Sequence, residues 1–168
     1  GVVSVAILTV LSFGFMAFNF TLSIDEELEL MGPMDIGWVG YGRFGTYFIN
    51  KLFMVGEIFT PYLTDFLAAA FLGLASLLIV FNAESKSESR EKISILIGVF
   101  SGFFISMPFV SGQYMAFGDY NLALGFGYVM VAASIRFSSN FMVSRKFNDA
   151  FLSLATLVIA VSIYQSFI

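Results

Sequence analysis

Three adjacent carboxylates, Asp25-Glu26-Glu27, follow directly on the apolar run Gly1–Ile24. Carboxylates this close at a membrane surface repel one another, which raises the pKa of at least one unless a cation neutralises them. The cluster suits a general base, and its oxygens suit magnesium or manganese. It equally suits a solvated acidic helix start, because carboxylates favour helix N-termini. The chain has no His and no Cys. The usual general base, thiol nucleophiles, disulfides and zinc thiolates are thereby excluded within it. Acid–base chemistry must run on carboxylates, Lys, Tyr or water.

A second concentration of chemistry lies at Gly37-Trp38-Val39-Gly40-Tyr41-Gly42-Arg43-Phe44-Gly45, where four glycines, Trp38, Tyr41 and Arg43 fall within nine residues. One reading is an aromatic belt with Arg43 anchored at the headgroups. The other is a binding turn in which the planar Arg43 fork meets a phosphate. From Arg43 to Phe59, the residues Phe44, Tyr47, Phe48, Leu52, Val55 and Phe59 share one face at helical spacing. Arg43, Thr46, Asn50 and Glu57 share another, with Lys51 apart. This predicts a helix in the interface plane, or the start of a longer tilted helix, whose polar face can line a groove. Ser111-Gly112-Gln113-Tyr114 with Asp119-Tyr120 is a further polar stretch. It is a plain connecting loop or a place where Gln113 meets sugar hydroxyls. Asp65, just after Pro61 and Tyr62, reads as an interfacial anchor or as a functional intramembrane carboxylate.

The elements that must position these groups follow from composition. The 168 residues are 58% hydrophobic and only 12% charged, with a mean hydropathy of +0.89. Soluble domains carry about 25% charged residues, so this chain is expected to be integral to a lipid bilayer. Eight Lys and Arg against twelve Asp and Glu give −4, with no basic patch for nucleic acid. Charge-free runs predict an all-α bundle of about five membrane helices, near 1–22, 59–82, 93–111, 120–137 and 150–168. A first outer loop at 23–58 carries the interfacial helix. Arg136 is expected to snorkel at the edge of the fourth span. Gly1–Phe20 lacks the basic segment and cleavage site of a signal peptide, so it reads as a membrane helix. The chain starts at Gly1 and stops inside an apolar run, which reads as part of a longer protein. With a cytoplasmic N-terminus, six Lys and Arg fall on cytoplasmic segments and only Arg43 and Lys51 outside. That orientation satisfies the positive-inside rule and puts the acidic loop on the outer face.

Ile24-Asp25-Glu26-Glu27, then Trp38 and Gly42-Arg43-Phe44-Gly45, then a helix with Lys51, resembles the bacterial membrane glucosyltransferases that modify O-antigen and related surface polysaccharides. Those enzymes belong to the wider GT-C class of polytopic glycosyltransferases. The family pairs two acids after its first membrane helix with a later tryptophan and a Gly-Arg-Trp element. Asp25 and Glu26 match the acids, and Gly42-Arg43 match Gly-Arg. Phe44 stands where the family has Trp. The match centres on residues 20–60.

The resemblance implies a GT-C-like bundle in the bacterial inner membrane. It implies inverting transfer of a sugar, glucose above all, from a polyprenyl-phosphate donor to a polysaccharide acceptor on the extracytoplasmic side. A carboxylate has to take the acceptor proton and a cation has to steady the departing phosphate. Asp25 is the first candidate base, with Glu26 as orienter or ligand of a divalent metal shared with Asp25, and Glu27 in reserve. Arg43 is the candidate phosphate contact, Lys51 its alternate, and Trp38 and Gln113 further substrate contacts. The competing class is a multi-pass transporter or flippase of lipid-linked sugars. Such a protein needs charged or broken helices at mid-membrane, whereas these ionisable groups gather in the outer loop.

Overall fold

The structure, a computed structural model, describes residues 2–18, 39–54, 61–84, 95, 96, 98, 99, 102 and 121–165. Most of the described residues are helical, with no strand among them. The helices are α1 (Val2–Phe18), α2 (Phe44–Leu52), α3 (Pro61–Glu84), α4 (Asn121–Ser144) and α5 (Phe147–Ile163). Pro61 opens α3 at the first helical position, where its missing N–H costs nothing. Leu63–Asn82 of α3 and all of α4 are long and apolar enough to cross a membrane. The apolar stretches Val2–Gly14 and Phe147–Ile163 are shorter. Of the expected third span, residues 95, 96, 98, 99 and 102 are described, and they are helical.

Side-chain pairings fix the direction of every neighbour. Val5 packs with Val80, and Phe13 packs with Ala68 and Ala69, so α1 runs antiparallel to α3. Asp65 meets Asn121, the Phe71 and Phe126 rings meet edge-on at 5.7 Å, and Asn82 meets Ala132. These contacts advance together along both helices, so α3 and α4 are parallel. Ser134 and Ser138 pair with Ser153, while Leu122 and Leu124 pack with Ile163, making α4 and α5 an antiparallel hairpin. Parallel neighbours require the chain to return from one end of the bundle to the other between Glu84 and Asn121. One end therefore collects the start of α1, the ends of α3 and α4, and Arg145-Lys146. The opposite end collects the end of α1, the starts of α3 and α4, the end of α5 and the whole of α2.

Four helix limits differ from expectation, each for a local reason. The fourth span does not stop near 137. Arg136 is held inside α4 by Asn82, whose Oδ1 accepts from Nη1 at 3.3 Å while its Nδ2 donates to the Ala132 carbonyl at 3.4 Å. With that charge partnered the helix runs to Ser144, and Arg145 ends it in the left-handed region at φ 54°. The last helix starts at Phe147 because Ser144 Oγ accepts the Lys146 N–H at 3.3 Å and donates to Asp149 Oδ2 at 2.7 Å. It ends at Ile163, where Tyr164 turns extended at φ −150°, ψ 120°. The helix after Arg43 is likewise shorter than its apolar spacing predicts, since Met54 adopts φ 55° just beyond Leu52.

Small residues share the contact faces with Leu72, Leu122, Leu124 and Ile163. Ala68, Ala75, Ala132 and Ser76 are fully buried, while Leu63, Phe66, Leu74 and Phe81 of α3 point outward. A Cβ on Gly73 would lie 3.1 Å from Thr9 Oγ1, which marks how closely α1 and α3 approach. Small residues inside and large apolar ones outside is the pattern of helices that associate in lipid. Hydroxyls join α4 to α5: Ser134 Oγ donates to the Ser153 carbonyl at 2.9 Å, and Ser138 and Ser153 hydroxyls meet at 2.7 Å.

Candidate functional site

Arg43 is the described candidate with the most specific setting. The preceding turn closes by the Gly42 N–H donating to the Val39 carbonyl at 3.0 Å. Gly42 sits at φ 75°, a conformation that side chains resist. Arg43 then takes the N-cap of α2, its carbonyl accepting the N–H groups of Thr46 at 3.1 Å and Tyr47 at 3.4 Å. Its guanidinium lies over the Tyr164 ring, 4.9 Å from the centroid. Beside it, Gln165 Nε2 donates to the Tyr41 carbonyl at 3.2 Å.

α2 is seated on the ends of α4 and α5 by its polar and small residues. Gly45 touches Ser162 so closely that a Cβ there would stand 2.8 Å from the Ser162 carbonyl carbon and 2.9 Å from Ile163 Cγ1. Thr46 is fully buried, and its hydroxyl donates to the Ile163 carbonyl at 3.1 Å, satisfying one of the acceptors that every helix leaves open at its C-terminus. Asn50 is 4% exposed, and Ile49 joins Leu122, Leu124 and Ile163 in one apolar cluster. Phe44, Phe48 and Leu52 face outward. The two faces expected from the spacing are present, but the polar one is turned into the bundle. Thr46 on that face is committed to α5 and does not line an open groove. Lys51 is exposed in the last turn of α2, about 12 Å along the axis from Arg43, so the two cations are not brought to one point.

Asp65 stands half-buried near the start of α3 and accepts from Asn121 Nδ2 at 3.4 Å. Asn121 itself is fully buried at the first position of α4. The carboxylate thus has a polar partner on a neighbouring helix, at the same end of the bundle as Arg43 and the end of α1. Asp25, Glu26, Glu27, Trp38 and Gln113 lie outside the described residues. Among the described residues no group of three or more His, Cys, Asp or Glu stands together.

Tyr164, Gln165 and Asn121 were not singled out from the sequence. Tyr164 and Gln165 fall inside a charge-free run read as a membrane span, and Gln165 and its partner Tyr41 are 124 positions apart. The one local signal was polar: Tyr164-Gln165-Ser166 interrupts an otherwise apolar segment.

No curated protein and no solved structure matches the chain. A family model described as glucosyl transferase GtrII matches residues 14–168, which covers both the Gly42-Arg43 turn and its partners on α5. The chain belongs to the GtrII glucosyl transferase family, and its substrates are accordingly a sugar donor and an acceptor.

Proposed function

We propose that the protein is a membrane glucosyltransferase that takes glucose from a polyprenyl-phosphate donor and delivers it to a cell-surface polysaccharide on the extracytoplasmic face. The observation that carries this reading is Arg43 stacked on Tyr164 at the end of the bundle where α1 leads on to Asp25. Arg145-Lys146 stands at the other end, which supports a cytoplasmic position for that end. An apolar groove of about 300 Å³ between α1 and α3, lined by Ala6, Val10, Phe66 and Ala70, supports a donor with a hydrocarbon chain. Outward-facing Leu63, Phe66, Leu74 and Phe81 support a bilayer around α3.

In this mechanism an acceptor hydroxyl oxygen attacks the anomeric carbon of the donor sugar. Asp25 takes the hydroxyl proton as the new carbon–oxygen bond forms. The bond from that carbon to the phosphate oxygen breaks, and its electron pair leaves with the polyprenyl phosphate. Arg43 faces the phosphate edge-on, where two parallel N–H donors match two phosphate oxygens and hold its charge in the bound donor as well as through departure. Glu26 orients Asp25, and the oxygens of both are of the kind that magnesium or manganese takes. Glu27 is the alternate base. Trp38 and Gln113 contact the substrate, and Lys51 is the alternate phosphate contact.

Membrane vesicles carrying the full-length protein, given radiolabelled polyprenyl-phosphate-glucose, test the assignment. Asp25→Asn should lose transfer by about 10²–10⁴-fold at unchanged protein level, the usual weight of a general base. Equal transfer by wild type and Asp25→Asn removes Asp25 as the base, and Glu26→Gln and Glu27→Gln then locate it.

A further inference from the structure

We infer that Tyr164 and Gln165 are positioning residues for the donor phosphate: Tyr164 holds the Arg43 guanidinium flat, and Gln165 pins the turn that delivers it. The inference rests on the reading of Arg43 as the phosphate contact. Three contacts lay the Tyr41–Thr46 segment beside residues 163–165. Thr46 Oγ1 donates to the Ile163 carbonyl at 3.1 Å, Gln165 Nε2 donates to the Tyr41 carbonyl at 3.2 Å, and the guanidinium carbon of Arg43 lies 4.9 Å from the Tyr164 ring centroid. Gly42 lets the turn pass close to Gln165, since a Cβ there would lie 3.2 Å from Nε2 at a φ of 75°.

The geometry separates two uses of one guanidinium. The guanidinium carbon stands over the ring at 4.9 Å, a cation–π distance. Guanidinium N–H donors lie in the plane of the group, and a phosphate meets such donors edge-on. A free Arg side chain loses rotamer freedom each time it grips an anion. One already stacked has lost it in advance, so the donor binds more tightly without a new contact. Tyr164 is itself held, because its N–H donates to the Ala160 carbonyl at 3.1 Å and its side chain packs against the cluster of Ile49, Leu122, Leu124 and Ile163. Fixing the cation before the donor arrives strengthens ground state and transition state alike, so the effect belongs to KM and not to kcat.

The experiment measures KM and kcat for polyprenyl-phosphate-glucose in vesicles of the full-length protein carrying Tyr164→Phe, Tyr164→Leu, Gln165→Ala, Arg43→Gln, or Arg43→Gln with Tyr164→Leu. Tyr164→Phe keeps the ring and should hold KM within about twofold. Tyr164→Leu should raise KM roughly tenfold and Gln165→Ala roughly threefold, with kcat within about threefold. In the Arg43→Gln background Tyr164→Leu should add nothing, because it acts through the guanidinium. An unchanged KM in Tyr164→Leu overturns the inference. So does a full additional loss in the Arg43→Gln background, or a Tyr164→Phe as impaired as Tyr164→Leu. Lost kcat and lost folded protein at constant KM also overturn it, as the mark of a purely structural role. If instead Arg43→Gln itself leaves KM unchanged, the phosphate reading of Arg43 fails first and takes the inference with it.

Discussion

Gly45→Ala should lift α2 from the bundle. The added Cβ would begin 2.8 Å from the Ser162 carbonyl carbon and 2.9 Å from Ile163 Cγ1. Carbon atoms settle about 3.5 Å apart, so α2 has to retreat by roughly 0.7 Å. The nearest obstacle is the Ser162 hydroxyl, tied to the Ile159 carbonyl, and behind it stands backbone that cannot turn aside. The same retreat stretches the 3.1 Å bond from Thr46 Oγ1 to the Ile163 carbonyl beyond hydrogen-bond length. Overpacking and the lost bond together cost about 2–4 kcal/mol, and replacing Gly by Ala inside a helix returns up to about 1 kcal/mol. The balance, about 1–3 kcal/mol, makes the undocked state roughly five- to 150-fold more populated. The chain has no cysteine, so Ile49→Cys, buried at 9% exposure, can serve as the reporter. Its maleimide labelling should accelerate by that factor in Gly45→Ala. Gly40→Ala, with open space around its Cβ, should leave the rate unchanged. Equal labelling with and without Gly45→Ala would refute the close docking of α2 on α5.

Two further substitutions probe the polar contacts. Thr46→Val keeps the side-chain shape but leaves the Ile163 carbonyl without its buried donor, which should cost about 1–3 kcal/mol in thermal unfolding in detergent; an unchanged midpoint would show that this bond carries no weight. Asn82→Leu strips Arg136 of its carboxamide partner and should cost a similar amount, about 1–3 kcal/mol, whereas adding Arg136→Met should restore most of the loss, since two apolar groups cost less than one orphaned charge; a double variant as unstable as Asn82→Leu would contradict this.

Periodicity made α2 legible: Phe44, Phe48 and Leu52 do share one face, and Thr46 and Asn50 the other. Periodicity could not say which medium each face meets. In water the apolar face turns in, but here it turns out and the polar one seats on α4 and α5. The all-helical character and the placement of Arg43 at a turn were also readable, because both depend on neighbours in sequence. The partner of Arg136 was not, since Asn82 lies 54 positions away and no local pattern pairs the two. The Arg43–Tyr164 stack joins residues far apart in the chain, and no local pattern encodes it. Asp25, Glu26, Glu27, Trp38 and Gln113 depend on the sequence pattern and the family resemblance alone.

In the membrane reading proposed above, the parallel arrangement of α3 and α4 has a consequence for how the chain is made. Antiparallel partners such as α4 and α5 can enter a bilayer together as a hairpin. Parallel partners cannot, so α4 meets α3 only after α3 has been threaded and released. α4 carries Arg136, a charge that is costly to carry into a membrane and that stands level with Asn82, the last residue of the apolar stretch Leu63–Asn82. Its acceptor, Asn82, is synthesised first and is already waiting on α3 when Arg136 emerges from the ribosome. The order of synthesis thus lets the earlier helix chaperone the insertion of the later one.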